Sequence, residues 1–224
     1  MTWWNYRPDD LLLFSPRVYA RLFELHNQTL WPAPLLALAA GGVALLLLLR
    51  STRQRTRLVI VLLAIAWVLV AWSFLWQRYA PIHWGIIYAI PLFGLQALLL
   101  LALGSLPSGL QLPQRWHPRR GLGVGLFAYS LALHPLTALM AGRSLWGAEI
   151  IGLAPDPLAI ATLGVAAMAE PGRYAWLLLV IPALWCLQST LTLLLLDQRG
   201  AWLPLLAVLI ALAARLWPRR APPR

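Results

Sequence analysis

The chain has 224 residues, of which 61% are hydrophobic and 11% charged, with 18 Lys+Arg against 7 Asp+Glu. A water-soluble domain is about half apolar and about a quarter charged, so these figures exclude one, and they equally exclude disorder, which needs low hydrophobicity. One cysteine, Cys186, rules out a disulfide framework, a zinc ribbon and a CxxC redox pair.

At the amino terminus, Trp3, Trp4, Asp9 and Asp10 stand where a cleavable leader would carry a basic stretch and an apolar core, so no leader is expected. Ser15 is suited to cap a helix opened by Pro16. Beyond it Val18, Leu22 and Leu25 recur at helical spacing with Tyr19 and Phe23 beside them, while Arg17, Arg21 and Glu24 share the other face. This pattern predicts an amphipathic helix lying on the outer membrane surface; a helical cap packed on a bundle explains it equally well.

A hydrocarbon core about 30 Å thick needs roughly 20 apolar residues in helix. Six such runs stand out, at 30–49, 58–76, 84–104, 121–141, 174–196 and 201–217. A seventh, 153–169, is shorter and opens on Pro155, Asp156 and Pro157. The expected fold is therefore an all-α integral membrane protein: a bundle of seven transmembrane helices over 30–217, an outer segment 1–29 with an interfacial helix, and a basic tail 218–224.

Loop charge orients the bundle, because cytoplasmic loops retain cations. Arg50, Arg53, Arg55 and Arg57 form one basic loop; Arg115, Arg119 and Arg120 form another; Arg215, Arg219, Arg220 and Arg224 lie at the carboxyl end. These clusters share a side only if seven segments cross, which puts the amino terminus outside and the carboxyl terminus in the cytoplasm of a cell inner membrane. All 18 cations are arginine, and their position in loops facing anionic headgroups accounts for the charge without nucleic acid. The same placement sends Glu149 and Asp156 to outer loops and leaves no acid at mid-membrane. The expected partners are the lipid bilayer and other membrane subunits.

Most of the 13 tryptophans fall at predicted helix ends, where indoles anchor at the interface, with Trp67 and Trp185 deeper. Polar groups inside hydrocarbon are costly and mark candidate sites. His134 precedes Pro135, which removes a donor and frees a carbonyl near Leu131. That histidine serves a ligand or proton site, or simply bonds to a neighbouring helix. His83 lies at the outer end of the third run, Gln96 within it, and Gln188 and Ser189 in the sixth beside Trp185. Two histidines with no thiol or carboxylate in view do not point to a metal, and no cofactor or catalytic residue is expected. The glycines at 121, 123 and 125 suit close helix packing better than phosphate binding.

Several stretches together resemble a known family. Trp3-Trp4 with Tyr6-Arg7-Pro8, Leu13-Phe14-Ser15-Pro16-Arg17, Leu22-Phe23-Glu24-Leu25 and Leu30-Trp31-Pro32 resemble the opening of a bacterial polytopic membrane family, a domain of unknown function (number 6064). Tyr79-Ala80-Pro81-Ile82, Thr162-Leu163-Gly164 and the run Leu179 to Trp185 extend the match over nearly the whole chain. The resemblance implies a helical membrane protein and carries no activity across. Gly152-Leu153-Ala154-Pro155 departs from the family pattern in having no thiol.

On these grounds the leading expectation is a non-catalytic accessory or scaffold subunit of a membrane assembly. The alternatives are a small-solute permease lined by His134, Gln96, Gln188 and Ser189, and, third, an intramembrane enzyme using His134. The amphipathic segment 15–28 is also expected to approach 78–84.

Overall fold

The computed structural model describes residues 14–217 apart from 51, 107–109, 114–115 and 171, so the readings made on 1–13, on Arg115 and on the tail 218–224 lie outside the described residues. Helix α1 is Pro16–Thr29, and the Ser15 side chain caps it by accepting from the Val18 amide at 3.4 Å. It buries Tyr19, Leu22, Phe23, His26 and Asn27 and leaves Val18 and Leu25 exposed. The buried face is thus rotated toward the aromatic residues, because the rings of Tyr19 and Phe23 find partners in Tyr79 (centroids 5.9 Å apart) and Phe74 (4.9 Å), and rings contribute more buried surface than Val18 or Leu25 would. The Tyr19–Tyr79 contact and a bond from Arg78 to the Thr29 hydroxyl at 2.9 Å bring this helix against the 78–84 turn, as expected.

Helix α2, Ala33–Leu49, turns away from α1 at 90°. Helix α3, Arg53–Leu69, is capped by Thr52 and runs on as a π-helix through Val70–Tyr79. A 3-10 turn, Trp84–Tyr88, leads into α4, Ala89–Ser105. Helix α5, Pro118–Ala128, passes through a π turn at Tyr129–Leu133 and a 3-10 turn at His134–Leu136 into α6, Thr137–Met140. These irregular turns fall where Pro135 withholds its amide. The remaining helices are α7, Pro155–Met168, α8, Arg173–Leu195, and α9, Leu203–Leu216.

The described residues form no β-strand. Among the described residues, four helical stretches are long and apolar enough to cross a membrane: Arg53–Tyr79, Trp84–Ser105, Pro118–Met140 and Arg173–Leu195. The bent pair α1 and α2 passes the same test together, while α7 and α9 are shorter apolar helices.

Helix α7 sits at the centre, with every residue from Pro155 to Met168 buried. At 1.5 Å per residue its length is about 21 Å, as is that of α9, so the helix by itself falls short of a hydrocarbon core of about 30 Å. The segment leading into it is not helical, yet Ala148, Glu149, Ile150, Ile151, Leu153 and Ala154 are all buried. The apolar run 153–169 is therefore a short inner helix entered by buried irregular chain, a form tolerated at depth only where protein surrounds it. Backbones of α5 and α7 meet at Gly123 and Gly164: a Cβ at Gly164 would lie 2.6 Å from the Gly123 carbonyl oxygen. Gly121 and Gly125 meet nothing, so close packing selects one glycine of the three.

Arginine side chains tie one end of the bundle together. Arg57 donates to the Gly104 carbonyl at 3.1 Å, Arg120 to those of Leu48 and Leu49 at 3.0 Å each, and Arg215 to that of Ala169 at 2.6 Å. Arg119 reaches the Trp217 carbonyl. These bonds use carbonyls that helix ends leave without partners. Helix α1, Arg78 and the 144–148 segment occupy the opposite end, where Asn27 donates to the carbonyls of Trp146 (2.7 Å) and Ala148 (2.8 Å).

Candidate functional site

Three ionisable side chains meet inside the bundle. His134 is 4% exposed, Glu149 4% and Asp156 2%. His134 is carried by the 3-10 turn before Pro135, Glu149 by the buried irregular segment, and Asp156 by the first turn of α7. One ring nitrogen of His134 and one oxygen from each carboxylate all lie within 4.8 Å of one another. The His134 Nε2 stands 3.4 Å from Glu149 Oε2, and Arg143 donates to Glu149 Oε1 at 3.2 Å. The Tyr129 ring packs edge-on against the imidazole at 5.8 Å.

Asp156 is held from α8. The Trp185 indole N–H donates to Oδ1 at 2.7 Å and the Ser189 hydroxyl to Oδ2 at 2.5 Å. Trp185 is near the middle of Arg173–Leu195 and Ser189 one turn further on, so Asp156 lies alongside a helix long enough to cross the membrane and not beyond its end. The expectation of no acid among the helices is thereby corrected for Asp156, while Glu149, which follows directly on the 144–148 segment at the α1 end, is buried there beside His134. Loop position in sequence does not report depth when the loop folds back among the helices.

The charges do not balance by themselves. Two carboxylates face one guanidinium, and the neutral donors on Asp156 soften its burial without adding charge. Desolvating such groups costs several kcal/mol each, so a further positive charge, from a proton or a cation, stabilises the set.

Of the residues singled out by sequence, His134, Trp185 and Ser189 belong to this cluster. His83, Trp185 and Gln188 line a groove of about 320 Å³ between α4 and α8, walled also by Phe93 and Ile181. The His83 Nδ1 and Gln188 Oε1 atoms there are buried without a hydrogen-bond partner. Trp185, which lines the groove, is also a donor to Asp156. Gln96 stands apart, fully buried and donating to the Leu178 carbonyl at 3.3 Å. Arg17, Arg21 and Glu24 are on the far side of α1, where Arg21 pairs with Glu24 at 2.6 Å. Sequence reasoning missed Arg143, Glu149 and Asp156. The one available signal was a carboxylate between two prolines at the head of an apolar run, which sets an acid at a helix N-terminus.

These features define an all-helical protein with apolar helices fit to span a membrane and a buried ionisable centre. The chain belongs to a family of unknown function (DUF6064), whose model matches residues 17–223. No curated protein and no solved structure matches it.

Proposed function

We propose that this protein is an inner-membrane permease for a small cation, crossing the bilayer seven times with its amino terminus outside, and that His134, Glu149 and Asp156 form its binding centre. The observation that carries this reading is the pair of buried carboxylates beside a histidine where a short helix begins inside the bundle. Intramembrane ionisable groups are expensive and are kept for ion or substrate pathways. Carriers commonly place their ion sites where a membrane helix is interrupted, since freed backbone and side chains converge there. The α4/α8 groove, with His83, Gln188 and Trp185 on its wall, adjoins the side chain that holds Asp156. The seven-crossing topology draws support from the arginines gathered at the end of the bundle where α2, α4, α7 and α9 finish.

An accessory or scaffold subunit has no use for so costly a centre, and of the grounds for expecting one, the absence of motifs, the scarcity of buried ionisable groups and the interfacial tryptophans, the second no longer holds. The test is flux. In liposomes holding a pH dye and a divalent-cation dye, the reconstituted protein is expected to pass protons or Mn²⁺ under an imposed gradient, and Glu149→Gln to abolish this. Signals equal to those of protein-free liposomes for both dyes would remove the permease and return the accessory-subunit reading.

A further inference from the structure

The structure assigns a divalent transition-metal site to His134, Glu149 and Asp156. This inference names the ligand of the centre proposed above and rests on it only for its role, since binding is measurable without transport. The donor set is one imidazole nitrogen and two carboxylate oxygens, all within 4.8 Å of one another. Imidazole with carboxylate suits Mn²⁺, Fe²⁺, Co²⁺ or Zn²⁺, whereas alkali cations take oxygen donors alone. With metal–ligand bonds of about 2.0–2.2 Å, ligand atoms around one ion lie roughly 3–3.5 Å apart, so the set closes by about an ångström on binding. His134 and Glu149 already stand 3.4 Å apart.

Two further observations point to a ligand. The His134 side chain is buried, its Nδ1 has no hydrogen-bond partner, and its Nε2 meets Glu149 only at the long end of hydrogen-bonding range. Second, both carboxylates are already oriented from behind, Glu149 by Arg143 on Oε1 and Asp156 by Trp185 and Ser189. Outer hydrogen bonds of this kind hold the ligands of metal sites in position. Arg143 also opposes the metal, being a fixed positive charge on the shared Glu149 carboxylate. The two carboxylates balance a divalent ion, and the guanidinium is then in excess.

The experiment titrates the purified full-length protein in mild detergent with Zn²⁺ by calorimetry and with Co²⁺ by visible absorption. One metal per chain is expected, with ligand-field bands for Co²⁺ and a higher melting temperature in Zn²⁺. Glu149→Gln and Asp156→Asn should each weaken binding about tenfold or more. Arg143→Gln, which keeps an amide donor for Glu149 and removes the charge, should tighten it several-fold, and His117→Asn, at the opposite end of the bundle, should leave it unchanged. The Arg143→Gln arm guards against variants that merely unfold, because unfolding does not raise affinity. Wild-type binding that neither carboxylate variant lowers, or no binding at all, overturns the site. Binding without flux in liposomes would retire the permease and leave the metal site standing; proton flux without binding would do the reverse.

Discussion

Asp156 shows what a single buried carboxylate demands. Its two oxygens take one donor each from α8, and removing either donor leaves a desolvated charge short of a partner. Trp185→Phe keeps the ring against Phe93, now 5.0 Å away, and deletes only the N–H. We expect it to cost about 1–3 kcal/mol in detergent unfolding, as should Ser189→Ala. Because both act through one carboxylate, the same substitutions in an Asp156→Asn background should cost markedly less, and equal costs in the two backgrounds would show that the bonds are incidental. Trp185, Ser189 and His134 were legible in the sequence as buried polar positions. Their meeting around Asp156 was not, since Asp156 is 29 and 33 residues from its donors, separations that no helical period links. At the surface, Glu24 bonds Arg21 at 2.6 Å and Ser144 at 2.9 Å, and Arg21 first, then Ser144, hold its carboxyl below the usual range. A depressed carboxylate stabilises the fold above its unfolded pKa. This contribution is lost as pH falls through the lowered folded value, and exposure keeps it below about 1 kcal/mol.

At the scale of elements, the contact of α5 with α7 decides whether the buried centre exists, because α7 carries Asp156 and has no lipid-facing side. Gly164 allows that contact: a methyl there would press on the Gly123 carbonyl at 2.6 Å and on Leu126 Cβ at 3.2 Å. Gly164→Ala is therefore expected to destabilise by about 1–3 kcal/mol through overpacking. Gly125→Ala, whose Cβ meets nothing within 4 Å, should instead stabilise slightly through helix propensity. Thermal unfolding of the two variants checks the pair, and a similar loss in both would mean that backbone approach is not what these glycines provide. The glycine run was readable as a packing surface because small residues let membrane helices close up. Which glycine bears the contact depended on the facing helix, which the run itself does not describe. The start of α7 was marked by Pro155 and Pro157, but an apolar stretch looks the same whether it spans a bilayer or begins halfway through a bundle.

For the whole molecule, hydropathy and loop arginines were enough to draw a helical membrane protein, since both follow directly from the bilayer as solvent. Depth was not legible, and of the two shorter apolar helices, α7 and α9, it is α7 that opens inside the bundle, so its crossing is the one put to the test. Three exposed positions resolve it. Gln54 is in the first turn of α3 at the arginine-rich end, Leu145 lies between α6 and α7, and Arg199 lies between α8 and α9. If α7 crosses, Leu145 and Arg199 share the outer side and Gln54 faces the cytoplasm; if it does not, Arg199 moves to the side of Gln54. The native Cys186 is fully buried, so single cysteines at these positions report over a silent background. In intact cells a membrane-impermeant maleimide is expected to label Leu145→Cys and Arg199→Cys at once, and Gln54→Cys only after permeabilisation. Labelling of Arg199→Cys that also waits for permeabilisation would leave six crossings, reverse the carboxyl end, and put the buried carboxylates on a helix that dips into the bundle and returns.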